Sequence, residues 1–327
     1  MYKVAFSLFL ILILSGISNS FAMDALYSPL PSRQMNPAML RYFDPVPSTS
    51  PDQYSGRASL SQHYSTFYLA DSLKTPKNYL ADMELYVVDI NAAYRWQFLS
   101  LHIDLPLIRP LPGSFDALLN NYHQALGLPD GGRKLRPDNV YAYQYTGNNR
   151  SWKSTPQWEL GNLAIQWRYS QPFDSGSWSL ASAIKLPTAS QSRGWSSGGS
   201  DIALGFIDDQ KKERFYGHVE IWWIHPLKRH DIGSQIQDYY RSDITLGIES
   251  DWPSGSLFML QLQGGSSPYR TNIISLDQSP WLISFGLQVP TKTDNKWTFG
   301  FVENITQNST QDFGLMLEYQ LKLHAPE

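Results

Sequence analysis

The sequence predicts an all-β chain, a transmembrane antiparallel β-barrel of about twelve strands with a partly helical long extracellular loop. Three observations point to it. Residues from Glu84 to Ile108 alternate with a period of two, similar stretches recur almost to the C-terminus, and the connections between them alternate short and long.

In the first stretch Tyr86, Val88, Ile90, Ala92, Tyr94 and Trp96 form one set, and Leu99, Leu101, Ile103, Leu105 and Leu107 resume it beyond Gln97. The opposite face carries Asp89, Arg95, His102 and Asp104. A soluble sandwich also alternates, but its strands average about five or six residues, whereas these runs reach about ten and place aromatics near strand ends. That favours a wall with lipid outside and water inside.

The first residues set the compartment. Lys3, the apolar run Val4 to Leu14 and the small-x-small stretch Ser20-Phe21-Ala22 read as a secretory signal peptide over residues 1–22, cleaved after Ala22. The apolar run is shorter than the roughly 20 residues of a membrane-anchoring helix, and later apolar runs are each broken within a few positions. With no cysteine, neither disulfides nor a lipid-modified N-terminal Cys are available. A net charge of -3 argues against nucleic acid as a partner. Aromatic residues make up 14% of the chain and charged residues only 17%, which suits interfacial girdles on a barrel.

Residues 23–53 are rich in Pro and Ser and carry no periodicity. They read as an extended segment ahead of the barrel (residues 54–327), with the barrel interior as one place for it. Alternation predicts strands at Gly56 to Leu69, Glu84 to Trp96, Phe98 to Ile108, Leu160 to Tyr169, Ser177 to Leu186 and Ser200 to Ile207. It predicts six more at Phe215 to His225, Tyr240 to Ser250, Ser256 to Gly264, Trp281 to Val289, Trp297 to Val302 and Phe313 to Leu323. Their inward faces would line a lumen with Asp89, Arg95, His102, Asp104, Arg168, Lys185, His218, Glu220, Arg241, Asp243, Glu249 and Glu318. Short connections such as Trp96-Gln97 and Asp208 to Arg214 would face the periplasm, and long ones the outside.

The longest connection, residues 109–159, has a helical insert: Ser114 as N-cap, then Phe115, Leu118, Leu119, Tyr122 and Leu126 at helical spacing, stopped by Gly127 and Pro129. One reading is a helix burying its stripe on its own loop. The other is a lid or constriction that enters the barrel mouth or rests on the outer leaflet, and the constriction is the reading adopted here.

Catalytic motifs are weak. Gly194-Trp195-Ser196-Ser197-Gly198 fits G-x-S-x-G but precedes a strand instead of the helix a nucleophile elbow needs. His102 with Asp104, and His218 with Glu220, pair a histidine and a carboxylate on one strand face, open to acid–base or metal chemistry but equally to ordinary lumen lining. The outer-membrane phospholipase is also a twelve-stranded barrel, but the nearest stretch to its His-x-Ser-Asn-Gly motif, His63-Tyr64-Ser65, continues with Thr66-Phe67. No catalytic residue, metal ligand or cofactor is assigned.

At Pro29-Leu30-Pro31-Ser32-Arg33-Gln34-Met35-Asn36-Pro37, and at His123 and Leu126-Gly127-Leu128-Pro129-Asp130-Gly131-Gly132-Arg133, the chain resembles a bacterial domain-of-unknown-function family that looks like outer-membrane β-barrels. The resemblance implies architecture and location across nearly all of the mature chain, and transfers no site residue. One departure from outer-membrane barrels at large is the end, His324-Ala325-Pro326-Glu327, which does not close on an aromatic.

The function read from the sequence is a channel or porin-like pore in the bacterial outer membrane for a small polar solute. Its partners would be outer-membrane lipids and the barrel-assembly machinery. The alternatives are a non-conducting structural or surface-interaction barrel and, third, a lipid-modifying enzyme.

Overall fold

The structure is a computed structural model, which describes residues 27–70, 78–117, 121, 124–125, 127, 137–146, 151–251, 254–306 and 309–323. Its strands in chain order are β1 Gly56–Ala70, β2 Asn78–Trp96, β3 Leu99–Leu111, β4 Ala142–Thr146, β5 Ser151–Lys153, β6 Glu159–Leu160, β7 Leu163–Phe173, β8 Gly176–Leu186 and β9 Asp201–Lys212. They continue with β10 Phe215–Pro226, β11 His230–Asp231, β12 Ser234–Gln235, β13 Tyr239–Asp251, β14 Ser254–Gly265, β15 Trp281–Pro290, β16 Lys296–Asn304 and β17 Phe313–Leu323.

Twelve of these, β1 to β3, β7 to β10 and β13 to β17, pair antiparallel with their neighbours, and the barrel closes where β1 meets β17 with Gly56 opposite Leu323. Closure leaves no sheet edge within the wall, which lipid requires because nothing there can hydrogen-bond a free backbone group. All twelve strands read from the alternation are present.

The pleat sorts side chains as the alternation predicts. Leu60, Ile90, Leu180, Leu204, Leu246 and Phe285 are exposed on the outer wall. At the short-turn end Trp96 stacks edge-on with Tyr94 at 4.7 Å, Tyr169 lies near Phe98 and Trp178, and Trp297 lies 4.5 Å from Tyr319, forming an aromatic belt. The tight turns take residues with positive φ, Gln97 at 46° and Glu213 at 54°.

Several boundaries differ from the sequence reading, among them β7, which begins at Leu163 instead of Leu160 and runs to Phe173 instead of Tyr169. Asp208 to Lys212, read as part of a turn, continues β9, and the reversal narrows to Glu213-Arg214. β2 begins at Asn78 because its first residues extend past β3 and pair with β4. There Leu80, Ala81, Asp82 and Met83 are all buried, so both faces are covered and the alternation disappears.

Candidate functional site

The lumen is filled by the chain's own N-terminal segment. Residues 27–46 are all buried, and their partners trace a path up one side of the barrel and down another. Tyr27 donates to Glu249 at 2.8 Å and packs on Tyr216, both beside the short turns. Leu30 N–H donates to Gln261, Gln261 in turn donates to Ser32, and Arg33 reaches Asp89 and Asp104. A 3-10 turn at Met39–Arg41 reverses the chain beneath the long loops. The return limb passes Arg241 at Asp44 (2.9 Å), Arg168 at Ser48, and Ser170 at Ser50 (2.8 Å), and enters β1 at Gly56. This strap therefore enters and leaves by the short-turn end.

Pro and Ser explain why it stays extended: Pro29, Pro31, Pro45 and Pro47 cannot donate to a ladder and hold φ near that of an extended chain. Its polar backbone groups are satisfied by wall side chains instead, as where Gln288 donates to Ser28 O at 2.8 Å and Gln261 to Leu30 O at 3.2 Å.

The predicted lumen residues all sit on inward-facing positions. Asp89 lies between Arg33 (3.2 Å) and His63 (3.1 Å), while Asp104 holds Arg33 at 2.5 Å. Arg95 donates to the carbonyls of Gln97, Pro51 and Ser170. His102 pairs with Ser100 at 2.9 Å, so it is not joined to Asp104. Lys185 contacts Asp201 at 3.3 Å and donates to Arg41 O at 3.1 Å. Glu318 accepts from Ser61 and Thr298. His218 Nδ1 lies 2.7 Å from Asp209, with Glu220 at 3.6 Å and Asp243 at 4.0 Å from Nε2; Thr245 donates to Asp243, and Trp222 to Glu220.

The picture of a wet, charge-lined interior needs correction. Towards the long loops the lumen is an apolar core in which Met35, Met39, Leu40 and Phe43 of the strap pack with wall residues such as Leu85, Val87, Ile108 and Trp222. Phe43 meets Trp222 edge-on at 5.6 Å. A cavity of about 40 Å³ lies between both strap limbs and the wall near Arg57, His102 and Glu318, with room for little more than a water or two.

The predicted constriction is also revised. Phe115 packs against Tyr64 at 5.4 Å, and its N–H donates to Glu84 at 2.6 Å. Tyr64 and Glu84 belong to the outward sets of β1 and β2, so this end of the insert is pinned to the outside wall and Phe115 does not enter the mouth. Leu118, Leu119, Tyr122 and Leu126 lie outside the described residues. The mouth is closed by other parts: Trp195 and Tyr269 from long connections, Ile232 beside β11, and Tyr143 of β4 are buried over the strap's turn. The G-x-S-x-G serine, Ser196, is buried in this cap, accepting a hydrogen bond from Gly198 of its own turn.

Sequence reasoning missed the strap's charges, Arg33, Arg41 and Asp44, the wall residue Asp209 and the loop residue Asp231. The available signal was Arg and Asp interspersed in a Pro-rich stretch ahead of a barrel whose inward faces already carried the opposite charges.

Among the described residues no helix is long and apolar enough to cross a membrane, so the wall is made by strands alone. A closed twelve-stranded barrel with an apolar outer band and an aromatic belt is a β-barrel of the outer-membrane type, here with a self-filled lumen. Residues 5–323 match the family model described as "Protein of unknown function (DUF3187)", and the chain belongs to that family. It is similar in structure to the COG4313 outer membrane channel from Pseudomonas putida F1, at 11% identity over 84% of this chain and 100% of that one, with a TM-score of 0.55. The Ralstonia pickettii toluene transporter TbuX aligns at 8% identity over 83% of this chain and 90% of its own, with a TM-score of 0.41. At these identities the likeness establishes the fold alone. No curated protein matches the chain.

Proposed function

We propose that the protein is an outer-membrane channel for a small polar solute, shut in the described state by residues 27–55 and opened when this strap leaves the lumen. The observation that carries the reading is the strap's path. Both limbs run to the short-turn end, so the strap can withdraw from that side without threading through the long loops. In the half nearest the short turns hydrogen bonds to wall side chains, which water can replace, accompany a small apolar cluster around Tyr27 and Leu30, whereas a larger apolar core surrounds the turn. The likeness in fold to the COG4313 outer membrane channel supports the same reading.

In this reading residues 1–22 are removed as a signal peptide, the assembly machinery inserts the barrel, and the short turns face the periplasm. A liposome-swelling assay tests passage: native protein admits small sugars and amino acids slowly, and Arg33→Ala, which frees one strap contact, admits them faster. The second reading, a non-conducting barrel, is favoured by the burial of residues 27–46 inside the lumen. No swelling from either protein would leave that reading standing.

A further inference from the structure

The strap's turn ends in Arg41, whose side chain is held by the external loops as a bound ligand would be. Its Nη1 donates to Gly194 O at 2.8 Å and its Nη2 to Asp231 Oδ2 at 2.6 Å, while the guanidinium carbon stands 4.3 Å from the ring centroid of Trp152. The three contacts come from three different connections. Asp231 itself has a fully buried side chain and accepts a second hydrogen bond from Tyr42 at 3.0 Å. Gly194 O also accepts from Tyr143 at 2.7 Å, which fixes the carbonyl independently of Arg41.

An aromatic ring with a carboxylate and a carbonyl accepting from two different guanidinium nitrogens is complementary to a planar cation with two diverging donors, more than to the compact point charge of an ammonium. If the strap left, Asp231 would lose the Arg41 guanidinium and the Tyr42 hydroxyl together, a cost that a cation bound in the same place offsets. A solute that fills the pocket therefore favours the withdrawn strap, and by linkage the strap weakens the solute's binding by the same factor.

We propose that the pocket holding Arg41 is a recognition site for a small guanidinium-bearing solute, and that the strap closes the barrel by occupying this site with its own side chain. The gating half of this inference rests on the channel reading; the binding half does not.

The test is calorimetry on the full chain in lipid nanodiscs, native and Arg41→Ala, titrated with methylguanidinium chloride and, separately, methylammonium chloride at matched ionic strength. The expected result is saturable one-to-one binding of methylguanidinium to Arg41→Ala, at least about tenfold tighter than to native protein and about tenfold tighter than methylammonium, and lost when Asp231→Asn is added. A folded Arg41→Ala protein that binds neither cation saturably, or both equally, overturns the proposal. Should that variant fail to fold, amide exchange of Met39–Phe43 in native protein decides. Acceleration by methylguanidinium but not by methylammonium supports the site, and equal rates overturn it. Binding in a protein that never conducts would keep the site and remove the channel.

Discussion

Arg33 of the strap places Nη2 2.5 Å from Asp104 Oδ2 of β3, joining residues far apart in sequence inside a closed lumen, with Asp89 on its other edge. One buried guanidinium thus serves two buried carboxylates. Arg33→Ala would leave both without it, and breaking a buried pair from one side costs about 3–5 kcal/mol. The expected outcome is a lower melting temperature and faster exchange of strap amides around Leu30 to Gln34; a change under about 1 kcal/mol would mean that the strap is not held there.

Around the strap's turn apolar packing accompanies the Arg41 ion pair. Trp222 is fully buried against Phe43, and a side chain on Gly205 would meet the Trp222 ring at 2.6 Å, so the glycine is the space the indole needs. Trp222→Ala should cost about 3–5 kcal/mol by leaving a cavity. Gly205→Val should cost about 1–3 kcal/mol by crowding the same ring. Denaturation of each refolded barrel checks both values.

Ser50 and Ser170 present their hydroxyls 2.8 Å apart, one on the strap and one on the wall. Because the chain has no cysteine, the double variant Ser50→Cys, Ser170→Cys holds the only two thiols. It should oxidise to a strap-to-wall disulfide visible as a mobility shift that reductant reverses, since side-chain tips 2.8 Å apart bring two sulfurs within bonding reach. Persistent free thiols under mild oxidant would place the return limb elsewhere.

The hairpin β11–β12, which carries Asp231, is followed by Asp238. Burial raises the Asp238 carboxyl, but Arg229 at 2.6 Å and His225 at 3.0 Å outweigh it and hold the group below the usual carboxylate range. A depressed value means that stability is present above the unfolded value of about 3.9 and lost as pH falls through the folded one. Amide protection at His230 to Gln235, corrected for intrinsic rates, should therefore hold from neutral pH to about 4 and fall below it, and Asp238→Asn should flatten that fall.

The wall was legible because a barrel strand has one dry and one wet or filled face, and a period of two survives wherever that contrast does. It failed at Leu80 to Met83, buried on both faces, and at Asp208 to Lys212, where the strand runs on with polar residues. The inward positions of His218 or Arg168 followed from the same period. Their partners did not: Asp209 was hidden in a presumed turn, and Arg33, Arg41 and Asp44 lie in a stretch without periodicity, positioned only by contacts with residues up to about two hundred positions away. Phe115 shows the converse limit, since helical spacing announces an apolar stripe but not which surface covers it.

Single-channel recording in a planar bilayer of the native chain and of a variant lacking residues 27–50 tests the central claim most directly, with folding of both checked by heat-modifiable gel mobility. The expected result is a native barrel that is closed or opens rarely, and discrete ohmic steps from the strapless barrel. A folded strapless barrel that stays silent would contradict it, and would assign the lumen to structure alone.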